Sequence, residues 1–139
     1  MTFEEKLDVE WKNLGGILVE VVPDNWEKIY FLGRVTDNAD SASYEADYYV
    51  KIDGKIEEKN ERIKYSEIEK DYRKTVRILM RIYKIYIECK IEPFSELIFE
   101  LDSDYKLKVN FLYDKILDNN HFFHRFQNWK KELEQDELS

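Results

Sequence analysis

The stretch ASYEADYYVKIDGKIEE, residues 42–58, decides the fold class of this chain. Apolar and polar side chains alternate over residues 42–51, which predicts a strand with one packed face and one wet face. Asp53 and Gly54 then form a two-residue hairpin signal, which predicts that the chain returns as a short strand over residues 55–58. The stretch therefore predicts an antiparallel sheet.

Strand and helix patterns surround this hairpin. Alternating apolar residues predict further strands over three segments: 27–35, 97–101 and 107–113. Helical spacing predicts a helix near each end and a long central one: 3–22, 66–91 and 122–133. The order α-β-β-(β)-α-β-β-α predicts an α+β fold, with an antiparallel sheet of four to five strands and helices packed on its one apolar face.

Length and charge limit the class of protein. The chain has 139 residues, which suits one domain over residues 1–139. Its 30 acidic against 22 basic residues give a formal net charge of −8, which argues against binding to nucleic-acid phosphates. The acidic start lacks the pattern of a signal peptide, and no apolar run is long enough to span a membrane. A cytoplasmic protein is expected.

Few residues suggest chemistry. Cys89 lies on the apolar side of the long helix, where free cysteines are mostly small buried hydrophobes. His121 and His124 stand three residues apart with Asp118 nearby, which is a weak metal or acid-base signal. We therefore expect no catalytic residue, metal or cofactor. A small metal-dependent enzyme using His121 and His124 is the less favoured alternative.

Carboxylates occupy positions opposite the predicted apolar sheet face. Glu45 and Asp47 alternate on one strand, and Glu96, Glu100 and Asp102 alternate on another. If the two strands lie close together, they form a negative surface for a basic protein. A solvated sheet face is the plainer interpretation. If the surface does bind a basic protein, the candidate binding residues are these carboxylates and two aromatic anchors: Glu45, Asp47, Tyr49, Glu96, Glu100, Asp102 and Tyr105.

A basic stripe marks the long helix. Arg73, Arg77 and Arg81 follow one another at four-residue steps, and like charges at this spacing repel. The stripe is either a solvated face offset by Glu69 and Glu88, or a contact for an acidic patch. A weak homodimer that pairs the stripe with the acidic sheet face is one such contact.

Two parts of the sequence resemble a known family. The segments MTFEEKL (1–7) and VPDNWEKIY (22–30) resemble the opening of the YezG/EsaG-like immunity proteins of Gram-positive bacteria. The segments EPFSEL (92–97) and DSDYKLKV (102–109) are similar to the closing hairpin of that family. Tyr105 stands where this hairpin usually has a glycine.

The resemblance implies a cytoplasmic antitoxin. Such a protein binds and inhibits a cognate nuclease toxin that a type VII secretion system exports. Its acidic surface would occupy the basic cleft with which a nuclease holds a polyanion. The resemblance carries over no toxin-contact residue, so the candidates rest on the charge pattern. A divergent paralogue, acting as an acidic interaction module or a self-associating one, is the alternative.

Overall fold

The computed structural model of the chain describes residues 1–37, 42–58, 65–113 and 121–138. Three helices are present in these ranges: α1 (Phe3–Val21), α2 (Tyr65–Glu88) and α3 (Phe122–Leu138). The strands are β1 (Lys28–Asp37), β2 (Ala42–Ile52), β3 (Lys55–Glu58), β4 (Glu96–Asp102) and β5 (Leu107–Leu112). The predicted α+β class and element order are confirmed.

The five strands form one antiparallel sheet in the order β3-β2-β1-β4-β5. β1 is the middle strand, and its register places Tyr30 between Tyr49 of β2 and Glu100 of β4. Seven consecutive β1 residues, 29–35, are buried. Burial at both odd and even positions means that the sheet is covered on both faces.

Two local signals act as the sequence predicts. At the start of α1, the Glu5 backbone N–H donates to Thr2 Oγ1 at 3.1 Å, and Thr2 N–H donates back to the Glu5 carboxylate at 3.4 Å. This capping box satisfies backbone donors that a helix start leaves unpaired. In the hairpin between β2 and β3, Asp53 and Gly54 have φ values of 51° and 76°. Both turn residues therefore adopt the positive φ that a tight hairpin requires.

Helices α1 and α2 pack on the first face of the sheet. They cover a core that contains Ile29 and Phe31 of β1. Gly33 lets α2 approach closely, since a Cβ atom there would lie 2.9 Å from Leu79 Cδ1. None of the described helices is long and apolar enough to cross a membrane.

Helix α3 packs on the second face, so the expectation that all helices share one face is wrong. A second core joins this helix to three strands through Tyr30, Leu32, Tyr49, Ile56, Phe126, Trp129 and Leu133. The physical reason lies in β1, where Tyr30 and Leu32 alternate with Ile29 and Phe31. Both sides of this strand are apolar, so the second face also needs a cover.

Candidate functional site

The sheet register brings the predicted acidic side chains to one face. Arg34 of β1 lies between Glu45 of β2 and Glu96 of β4. One row further along, Leu32 lies between Asp47 and Ile98. The two acidic strands are therefore not neighbours, because β1 separates them. Since side chains alternate between faces, the candidates on β2 and β4 still share the face on which α3 packs.

Glu96 is buried beneath α3, so its predicted position on an open surface is wrong. The residue is 6% exposed. Arg34 donates to Glu96 Oε2 from Nε at 3.2 Å and from Nη2 at 3.0 Å, and Arg125 Nε of α3 donates to Oε1 at 3.2 Å. We call these three residues the Glu96 clamp. It joins the sheet to α3 through charged hydrogen bonds.

Tyr49 is also enclosed, so its predicted position as an exposed side chain is wrong. Its ring stacks on Phe126 of α3 with centroids 4.0 Å apart and planes 3° from parallel. Its hydroxyl donates to the Phe126 carbonyl at 2.8 Å. Burial, together with the nearby carboxylates of Glu58 and Asp47, raises the pKa of the Tyr49 phenol. Tyr49 therefore holds α3 in place.

The remaining candidates stay accessible. Four carboxylates are half-buried on the face that carries α3: Glu45, Asp47, Glu100 and Asp102. Asp102 also shapes the turn before β5, because its Oδ1 accepts the backbone N–H groups of Asp104 and Lys106. Tyr105 in the same turn is 68% exposed and has a φ of 62°, in the region that favours glycine. Its ring meets Trp26 edge-on at 6.1 Å.

The basic stripe of α2 is partly engaged within the chain. Arg81 Nε donates to both oxygens of the buried Glu10 carboxylate of α1, at 2.7 and 3.1 Å. Burial raises the pKa of Glu10, but hydrogen bonds from Arg81 and Asn13 outweigh it, so the pKa lies below its ordinary value. Lys84 lies 3.8 Å from Glu88 on the same helix. Arg81 therefore joins α1 to α2.

The two histidines are not grouped with a third potential metal ligand among the described residues. The rings of His121 and His124 lie 6.1 Å apart at the start of α3, and Asp118 falls outside the described residues. Within the described ranges, no three side chains from His, Cys, Asp and Glu are grouped to hold a metal ion. Cys89 is half-buried just after α2.

Arg34 and Arg125 hold α3 on the sheet through Glu96, and neither residue is identified in the sequence analysis. Arg34 is one of the seven consecutive buried residues of β1. A charged residue inside an otherwise apolar strand needs a buried partner, and this is the signal in the sequence that could have revealed its role. Arg125 carries no comparable mark. Its role depends on where α3 docks.

Comparison with known proteins tests the family resemblance. Residues 7–135, from α1 into α3, match the family model described as immunity protein YezG-like. The chain is also similar to the type VII secretion system protein EsaG of Staphylococcus aureus (strain NCTC 8325 / PS 47). The two are 25% identical over 124 residues, which cover 81% of this chain and 71% of EsaG. Because the family match includes most of the chain, this protein belongs to the YezG-like immunity protein family.

Proposed function

We propose that this chain is an antitoxin that binds a cognate secreted nuclease toxin and inhibits it stoichiometrically in the cytoplasm. In this proposal it acts as one domain over residues 1–139, by binding and not by catalysis. The observation that carries it is the family match over residues 7–135, supported by the similarity to a type VII secretion protein. An immunity protein acts on a toxin, so a protein partner follows from the family.

The charge pattern supports a nuclease as that partner. The chain has a formal net charge of −8. Glu45, Asp47, Glu100 and Asp102 keep partial exposure on the face that carries α3. A nuclease binds a polyanion with a basic cleft, and carboxylates on a compact protein can take the place of phosphates there. We call these four residues the acidic rim.

Inhibition is the first test. Purified chain is titrated into the nuclease region of the secreted toxin encoded closest to this gene, and cleavage of plasmid DNA is followed. We expect activity to disappear at an equimolar ratio. Binding should also weaken at high salt, because the screening length falls from about 8 Å at 0.15 M to about 3 Å at 1 M. Full nuclease activity in the presence of excess chain would contradict the proposal.

A charge-reversal pair tests the surface. The rim variant carries Glu45→Lys, Asp47→Lys and Glu100→Lys. The control variant carries the same number of reversals on exposed α1 acids: Glu4→Lys, Asp8→Lys and Glu20→Lys. Both change the net charge equally. The rim variant should bind at least about tenfold more weakly than the control, because close charge pairs at an interface add attraction that net charge alone does not supply.

Glu96 is left out of this variant because its reversal would disturb the Glu96 clamp. Thermal denaturation checks that each triple variant still folds. Equal loss of binding in both variants would show that only net charge matters, and the acidic rim would then not be the contact surface.

A further inference from the structure

The outer edge of the sheet at β5 is not paired with any other strand among the residues that the structure describes. β5 pairs with β4 on one side. Two hydrogen bonds show how it is oriented: Asp102 N–H donates to the Lys106 carbonyl at 3.1 Å, and Ser95 N–H donates to the Leu112 carbonyl at 2.7 Å. Backbone groups alternate in direction along a strand. The even-numbered residues therefore turn toward β4.

The odd-numbered residues turn away from the sheet. Leu107, Val109 and Phe111 direct their N–H and C=O groups outward, and no described residue forms a backbone bond with them. An edge of this kind is a template for pairing with another strand. We call it the β5 edge.

Side chains along the β5 edge indicate the chemistry of an added strand. Leu107 is 42% exposed, on the face that α1 and α2 cover, where Val109 and Phe111 pack against the first core. Lys108 is exposed on the opposite face, and Lys106 precedes it two residues earlier. A matching strand would place apolar side chains beside Leu107, Val109 and Phe111, and carboxylates beside the two lysines.

We propose that the β5 edge binds an extended segment of the toxin as a sixth strand, in which apolar residues alternate with Asp or Glu. This rests on the proposed function and adds a second contact to the acidic rim. Backbone bonds supply attachment, and alternate side chains supply specificity. Acidic residues opposite Lys106 and Lys108 complete the charge pairing.

A second copy of the chain fits the edge less well. Six residues extend for roughly 20 Å at about 3.3 Å per residue. A stable interface buries about 1,200–2,000 Å² in total, more than one pair of short edge strands provides. Lysines are also common on edges as a guard against self-pairing. A toxin that contacts the acidic rim as well can supply the missing area.

Amide hydrogen exchange on the wild-type chain tests the proposal residue by residue. In the free chain, amides of Leu107, Val109 and Phe111 should exchange rapidly, while those of Lys108 and Asn110 are protected by β4. Adding the toxin nuclease region should slow the first three by at least about 100-fold, because each amide gains a hydrogen-bond partner. The other two should change little.

Three other outcomes would overturn strand addition. A complex that forms with the outward amides still in rapid exchange would leave the antitoxin proposal standing and remove this one. Protection in the free chain that grows with its concentration would identify a second copy as the occupant. If no complex forms at all, both proposals fail.

A proline variant gives an independent measurement. Val109→Pro removes an outward N–H and leaves the bonds to β4 intact. Edge strands accept proline at positions of this kind, where the N–H points away from the sheet. The matched control Val109→Ala removes the side chain but keeps the N–H. Binding should weaken at least about tenfold for the proline variant relative to the alanine variant, since a bond is lost and the ring obstructs pairing.

Equal binding by the two variants would contradict the proposal. Thermal denaturation checks their folds. If Val109→Pro does not fold, Leu107→Pro and Leu107→Ala provide the same comparison at the exposed start of β5.

Discussion

Replacement of Glu96 by alanine should destabilise the fold by about 3 kcal/mol while leaving the acidic rim in place. The Arg34 side chain is only 4% exposed and would keep its positive charge without this carboxylate. Removing one partner of a buried ion pair costs about 3–5 kcal/mol, because the other charge stays desolvated. Arg125, with a side chain 22% exposed, can turn toward water, so we take the lower end of that range.

The predicted loss of stability is large enough to measure by two methods, thermal and urea denaturation. With an unfolding entropy of about 2.1 cal/mol/K per residue over 139 residues, it lowers the melting temperature by about 10 °C. With a urea dependence of about 2 kcal/mol/M, it lowers the urea midpoint by about 1.5 M. Circular dichroism follows the helices, and tryptophan fluorescence includes the signal of Trp129, a residue of α3 that packs in the second core.

Two controls separate the buried charge from surface charge. Glu45→Ala removes the half-buried carboxylate opposite Arg34 on β2, and should cost less than about 1 kcal/mol. The pair Arg34→Met and Glu96→Leu removes both buried charges and should recover most of the lost stability. A Glu96→Ala variant that loses less than about 1 kcal/mol would refute the reasoning. So would one that keeps its stability but no longer binds the toxin, since Glu96 would then be a contact residue.

Three smaller predictions concern single side chains. Below about pH 5, the wild type should lose stability more steeply than Glu10→Gln, because hydrogen bonds from Arg81 outweigh burial and hold the pKa of Glu10 below its unfolded value. That stabilisation is present above the unfolded pKa and is lost as the pH falls through the folded pKa. Urea midpoints that change with pH by the same amount in the wild type and in Glu10→Gln would contradict it. Tyr49→Phe should cost about 1 kcal/mol in thermal denaturation, because the hydrogen bond from the Tyr49 hydroxyl to the Phe126 carbonyl is lost while the ring stack remains. Tyr105→Gly should be more stable than Tyr105→Val by at least about 1 kcal/mol, because both lose the ring but only glycine accepts a φ of 62° without strain. Equal urea midpoints for the two Tyr105 variants would count against backbone strain there.

Short-range chemistry made much of the fold predictable. The Asp53-Gly54 hairpin depends on two adjacent residues, and the capping box of Thr2 and Glu5 depends on four. Strand alternation likewise needs only a short window of sequence. Each of these signals acts between neighbours in the chain, so one sequence is enough to read it.

The second sheet face was harder to predict because its cover comes from far along the chain. Alternation with apolar neighbours predicts a wet face for Tyr49, yet a tyrosine can bury its ring if its one hydroxyl finds a hydrogen-bond partner. Its partner Phe126 is 77 residues away. The same alternation predicts an open position for Glu96, but its bond to Arg34 spans 62 residues and depends on the pairing of β4 with β1. Local patterns contain no information about such register-dependent contacts.

The enclosure of β1 limits how this protein can acquire a new specificity. All seven residues from 29 to 35 are buried between two helical layers, so a substitution there must preserve volume and polarity on whichever side it points. The exposed residues of β5, which are Leu107, Lys108 and Asn110, face no such demand. A lineage that follows a changing toxin can therefore vary its periphery while its centre stays the same. For protein engineering, libraries should diversify the exposed positions of β5 and leave β1 untouched.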